Sequence, residues 1–233
     1  LEANIIGTFN ILEAVKIGDI SHTLIASTSS AYGANKEMPF DENQKADYQI
    51  SFYAASKKTC EVISHSYSHI HNLPITNFRF FTVYGAWGRP DMALFKFVKA
   101  IHENKPIDVY NNGEMKRDFT YIDDLVEGIS LLMDCIPQKG VRISENDSLS
   151  PVAPWRVVNI GNSKVQNLMD FIKEIEKNLN CTSKKNYLPM QKGDVKETWA
   201  NCDLLEDLTG FIPKTNIETG IKNFCDWYKD YYL

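Results

Sequence analysis

The 233 residues are 43% hydrophobic and 24% charged, with a formal net charge of −5. That balance suits one large α/β domain, or one domain with a small lobe, and offers no electrostatic footprint for nucleic acid. The five cysteines, Cys60, Cys135, Cys181, Cys202 and Cys225, are odd in number and widely scattered, which reads as reduced thiols rather than a disulfide frame. No apolar run approaches a membrane span and no basic region marks a signal peptide, so the expected compartment is the cytoplasm.

In chain order, apolar Ile5, Ile6, Phe9, Ile11, Leu12 and Val15 predict a helix over 1–16, and the chain starts inside it without a cap. Residues 22–27 (HTLIAS) form a short apolar strand ending in a Ser- and Gly-rich turn. A second helix is expected over 53–72 and a second strand over 75–84. This strand–helix–strand rhythm indicates a parallel sheet with right-handed crossovers. After Gly85 a turn leads into an amphipathic helix from about Met92. Short strands follow at 107–111 and 119–122, then a helix over 123–134 that carries Leu125, Val126, Ile129, Leu132 and Met133. Residues 137–154 are polar and rich in Gly, Pro and Ser, so they read as a long loop. A third parallel strand at 157–160, a helix over 168–179, an irregular stretch and a last helix over 217–232 complete the chain, with no internal repeat.

The chemistry points first to Tyr53 and Lys57, four residues apart and so on one helix face. An ammonium beside a phenol stabilises the phenolate, which suits the phenol to act as a general base. An isolated Tyr/Lys pair of this spacing is more often an ordinary exposed helix pair. The context changes that. About 20 residues upstream a strand ends in Ser27-Thr28-Ser29-Ser30, and ligands of open parallel sheets sit beyond the carboxyl ends of strands. Thr28 is thereby expected to hydrogen-bond both a substrate hydroxyl and the Tyr53 phenolate; the plain alternative is a turn that merely favours Ser and Gly. His65 and His69 share a helix face, but no Cys or acidic partner completes a metal site, and none is expected.

Seven segments carry a resemblance to a known family: NIIGTFNILEA (4–14), STSSAYG (27–33), YAASKK (53–58), RFFTVYGAWGRPDMALFKF (79–97), KRDFTYIDD (116–124), VVNIGNS (157–163) and LPMQKGDV (188–195). The chain resembles the extended short-chain dehydrogenases, and within them the UDP-glucuronate 4-epimerases of capsule and lipopolysaccharide synthesis. The resemblance implies that Tyr53 is the catalytic base, that Lys57 supports it and holds the nicotinamide ribose, and that Thr28 assists at the sugar 4-hydroxyl, with Ser29 and Ser30 nearby. It implies NAD as cofactor and a 4-keto sugar intermediate. Arg89 would grip the uronate carboxylate, a two-pronged task suited to arginine, with Thr82 beside it. A rigid grip there would also slow loss of CO2 from the β-keto acid. Arg117 would contact the diphosphate and Asp194 the nucleotide ribose. The rival readings are a surface pair with Asp91 for Arg89 and a structural ion pair for Arg117. Relatives that dehydrate or decarboxylate carry an acidic residue just before the Ala/Val-Tyr-Gly of the turn; ahead of Ala31-Tyr32-Gly33 this chain has the hydroxyls of Ser29 and Ser30, which favours plain epimerisation.

The Gly-rich phosphate turn by which that family binds NAD is absent from these residues. The expected fold is therefore a partial doubly wound, Rossmann-like parallel sheet lacking its first strands, plus a small α/β substrate lobe. Residues 1–85 would belong to the first part and 86–233 mainly to the lobe, with 118–135 and 156–162 returning. By itself such a chain is expected neither to hold NAD stably nor to turn over sugar, and to leave an apolar sheet edge unpaired. Helices 1–16 and 53–72 correspond to the pair through which relatives dimerise. Two other readings stay open: a nucleotide-sugar-binding fragment without catalysis, and an epimerase of neutral UDP-sugars.

Overall fold

The computed structural model describes residues 1–191 and 194–233. A π-helical turn (Glu2–Ile6) runs into helix α1 (Gly7–Ile17), whose Leu12 and Val15 are buried. Strand β1 (Thr23–Ala26) pairs parallel with β2 (Ile75–Phe80), and β2 pairs parallel with β6 (Trp155–Ile160). Helix α2 (Phe52–His71) is the crossover between β1 and β2. It starts where Ser51 accepts the Ala54 amide at 3.1 Å and stops where Asn72 turns left-handed at φ 54°. The outer edge of β1 has no strand partner among the described residues, so its unpaired amides and carbonyls are a pairing liability.

The strand expected over 75–84 is two strands. At Phe81 the backbone bends so that its carbonyl accepts the Val83 amide at 3.1 Å, and β3 (Thr82–Tyr84) joins another sheet. Both halves are rich in β-branched and aromatic residues (ITNFRF and TVY), so composition gave no sign of the break. In that second sheet β3 runs parallel to β5 (Lys116–Tyr121), which begins three residues earlier than expected. Also on β5 are β7 (Val165–Asn167), antiparallel, and β9 (Glu197–Thr198), parallel. Strand β4 (Ile107–Tyr110) pairs parallel with β8 (Lys185–Leu188). Strands β7, β8 and β9 and helix α6 (Asp203–Thr209) were not anticipated, being short and largely polar.

Two cores hold these layers. One joins Tyr32, Phe78, Val158 and Ile160 to Leu125 and Leu132 of α4 (Ile122–Leu132) and to Leu204 and Leu205. The other lies among α3 (Ala93–His102), α5 (Leu168–Leu179) and α7 (Ile217–Tyr232), where Phe119 stacks on Phe171 at 4.1 Å between ring centres. Stacked and edge-on aromatic pairs of this kind add about 0.5–1.5 kcal/mol each beyond their burial. The long loop 137–154 is pinned through buried Asp147, which pairs with Arg156 and accepts the amides of Ile143 and Leu149. All five cysteines are free thiols. Among the described residues no helix is long and apolar enough to cross a membrane.

Candidate active site

Strand β1 ends at Ala26, and two residues on extended Thr28 caps a 3-10 turn (Ser29–Tyr32) by accepting the Ser30 amide on Oγ1 at 3.2 Å. Accepting that amide leaves the Thr28 O–H free to donate; no Thr28–Tyr53 hydrogen bond exists among the described residues. Gly33 closes the turn at φ 59°, ψ −120°, and a Cβ there would lie 2.1 Å from the Tyr48 carbonyl oxygen. Only glycine fits, because both the backbone region and the space exclude a side chain.

The segment leaving Gly33 folds back against the turn: Gln49 Nε2 donates to the carbonyls of Ala31 and Ala46, both at 2.8 Å. It is also tied to β6 by buried Glu42, whose Oε1 accepts the Asn159 amide at 2.6 Å, while Tyr32 donates to Asn159 Oδ1 at 2.8 Å. Burial pushes the Glu42 carboxyl up to about 8, with the Asn159 hydrogen bond offsetting only part of the effect. This return delivers Ser51, the cap of α2, and with it Tyr53 to the mouth of β1.

The result is a cavity of about 750 Å³, within the range of small-molecule sites. Eight of the nine residues singled out in the sequence line it: Thr28, Ser29, Ser30 and Tyr53 from the β1–α2 region, Thr82 and Arg89 after β2, and Arg117 and Asp194 from the second sheet and its flank. Lys57 is outside the lining, one helical turn beyond Tyr53. Tyr53 is half exposed. Neither its hydroxyl nor the Lys57 ammonium has a hydrogen bond or ion pair among the described residues, so both are available to a ligand. Phe80, Phe81, Phe95, Phe119, Phe171 and Phe224 give the cavity an aromatic lining that the search for polar motifs passed over.

The cationic groups are held differently. Arg89 stands at the rim, with its Nε 3.3 Å from Asp91 Oδ1 and both side chains largely exposed. The rival pair is thus the one present, and at that exposure such a pair contributes about 0–1 kcal/mol, little resistance to exchange for a ligand carboxylate. Arg117 is mostly buried and donates from Nη2 to Asp194 Oδ1 at 2.7 Å and from Nη1 to the carbonyls of Lys116 and Lys196. Burial lowers its proton affinity and Asp194 offsets that in part. Asp194, from the LPMQKGDV segment, thus faces Arg117; Lys192 and Gly193 of that motif lie outside the described residues.

Several residues beside the site went unread. Asp118, fully buried next to Arg117, accepts the amides of Asn162, Ser163 and Ala200 and the Thr120 hydroxyl. Glu61 and Arg79 form a buried pair; an arginine between Phe78 and Phe80 in a strand was the available signal, since a buried charge demands a partner. His65 and His69 bond to Ser150 Oγ and the Val152 carbonyl, and no cluster of three or more metal-type side chains occurs among the described residues.

A parallel sheet with a crossover helix, opening at its strand ends on a cavity shared with a second lobe, defines a Rossmann-like α/β protein. The chain belongs to the NAD dependent epimerase/dehydratase family, whose pattern matches residues 1–142. It is 50% identical over 235 residues to a probable UDP-glucuronate 4-epimerase of Rhizobium meliloti, covering all of this chain and 69% of that one. It is 49% identical to protein CapI of Staphylococcus aureus, over all of this chain and 70% of that one. Its fold superposes with a TM-score of 0.85 on the crystal structure of UDP-glucuronic acid 4-epimerase from Bacillus cereus in complex with UDP-glucuronic acid and NAD, at 30% identity, covering 98% of this chain and 68% of the other.

Proposed function

We propose that this chain forms the catalytic and substrate-binding part of an NAD-dependent 4-epimerase of UDP-hexuronic acids, interconverting UDP-glucuronate and UDP-galacturonate. The observation that carries the reading is the shared cavity: an unbonded phenol, a cluster of hydroxyls and two arginines open onto the same space. Tyr53 takes the proton of the sugar 4-hydroxyl and returns it after the ring has turned over. Thr28, Ser29 and Ser30 orient that hydroxyl. Arg89, released from Asp91, and Thr82 hold the carboxylate, while Arg117 and Asp194 hold the diphosphate and ribose. A bound NAD would supply the reversible hydride acceptor for C4, with no net consumption of cofactor. The unpartnered Lys57 ammonium and Tyr53 hydroxyl suit its nicotinamide ribose; its pyrophosphate calls for a Gly-rich turn that these residues do not contain, and the chain alone is expected to bind NAD weakly.

Residues 1–85 are assigned to the cofactor side and 86–233 to the substrate side, with 118–135 and 156–162 returning. The exposed Phe9, Ile11, Val62 and Ile70 of α1 and α2 suit a homodimer through these helices, and the free thiols suit the cytoplasm. The test is interconversion of the two UDP-uronates by the NAD-loaded protein and its Tyr53→Phe variant. Loss of a general base removes about 10²–10⁴-fold in rate; a variant that keeps more than about a tenth of the activity overturns the assignment.

A further inference from the structure

Glu61 has no part in the chemistry above, yet both of its carboxylate oxygens are doubly engaged. Oε1 accepts from Ser27 Oγ at 2.6 Å and Arg79 Nε at 2.8 Å. Oε2 accepts from Arg79 Nη2 at 2.7 Å and Lys58 Nζ at 3.0 Å. The Arg79 guanidinium also lies 4.5 Å over the Tyr32 ring. Glu61 and Arg79 are both almost wholly buried. Burial alone would push the Glu61 carboxyl up, but Arg79, Lys58 and Ser27 hold it at about 2, so it stays an anion.

A buried ion pair is a poor device for stability alone, because apolar residues of the same volume often do as well. What four directed bonds add is orientation. Glu61 follows Tyr53 and Lys57 at successive intervals of four on α2, so all three belong to one helical stripe. Ser27 directly precedes Thr28, and Tyr32 closes the turn that carries Ser29 and Ser30. One carboxylate therefore fixes the rotation and the height of α2 against the strand end and turn that line the cavity. A misplacement near 1 Å costs up to about 100-fold in rate where geometry governs a reaction.

We propose that Glu61, through Ser27 and Arg79, is a positioning residue that sets the Tyr53 hydroxyl against Thr28, touching neither sugar nor cofactor. The proposal rests on Tyr53 being the base.

The test uses the NAD-loaded polypeptide encoded by the complete gene and follows kcat, KM for UDP-glucuronate and Tm. Ser27→Ala removes one tie and leaves the ion pair whole; Arg79→Lys keeps the charge and loses the two-pronged grip. Each is expected to lower kcat about tenfold or more while KM stays within about twofold, with Ser27→Ala also keeping Tm within a few degrees. Because Arg79→Lys alone risks unfolding, Ser27→Ala decides. The proposal is overturned if Ser27→Ala keeps kcat within twofold, or if kcat falls only in step with the folded fraction. Tyr53→Phe separates the two readings. If it is inactive while Ser27→Ala is unimpaired, only the positioning role fails; if it stays active, the base assignment fails and takes this proposal with it.

Discussion

Replacing Glu42 with Gln should change how stability depends on pH far more than it changes stability at low pH. In the folded chain the carboxyl is buried and pushed up to about 8 from an ordinary value of 4.5. Between those two values the unfolded chain is ionised at this position and the folded chain is protonated. The folded state then holds one more proton, and stability falls as pH rises, by about 1.4 kcal/mol per pH unit. The contribution is fully present below 4.5 and is lost as pH climbs through 8, a total of about 5 kcal/mol over the window, as an order of magnitude. The amide side chain of the variant resembles the protonated acid in shape, and its carbonyl can keep the Asn159 amide bond now made at 2.6 Å. Urea unfolding of both proteins at pH 5, 6, 7 and 8 reads the effect directly. The variant should match the parent within about 1 kcal/mol near pH 5 and exceed it increasingly toward pH 8, a difference of more than about 3 kcal/mol by the end. Two curves that stay parallel from pH 5 to 8 would refute the reasoning. They would mean that Glu42 ionises in place, or that water reaches it. The outcome bears on the site as well, since Glu42 anchors the return segment that delivers Ser51 and Tyr53.

Four other substitutions probe separate links. Gly33→Ala combines a backbone at φ 59°, ψ −120° with a Cβ 2.1 Å from the Tyr48 carbonyl, so it should cost more than about 2 kcal/mol. Gly210→Ala, at φ 68° with open space around it, should cost only about 1–2 kcal/mol; equal Tm losses would refute the contact argument. Asp118→Ala strands the buried amides of Asn162, Ser163 and Ala200. At about 1–3 kcal/mol per lost acceptor, less relaxation, the expected cost is about 4 kcal/mol by denaturant titration, and a loss below about 1 kcal/mol would mean that water replaces the carboxylate. Arg89→Ala in the NAD-loaded enzyme should lower kcat/KM for UDP-glucuronate about 10–100-fold and for UDP-glucose far less, since one charge-assisted contact contributes about 1.5–3 kcal/mol; equal losses would remove the carboxylate role.

Local pattern sufficed wherever a signal repeats along the chain. Helices α5 and α7 run over the residues that their periodicity predicts, and α2 differs by one residue at each end, because a 3.6-residue apolar repeat and its caps are short-range features. The Tyr53–Lys57 spacing and the hydroxyl-rich end of β1 are legible for the same reason. What the tertiary structure decided are meetings between residues far apart in the chain. Arg117 finds Asp194 across 77 positions, Glu42 reaches Asn159 across 117, and Arg79 pairs with Glu61 only because a parallel crossover lays β2 beside α2. The break at Phe81 belongs here too, since a run of β-branched and aromatic residues reads alike whether it stays in one sheet or passes to the next. A sequence shows which groups are costly to bury and so need partners; only packing, which excludes water and sets the directions of the bonds, determines who those partners are.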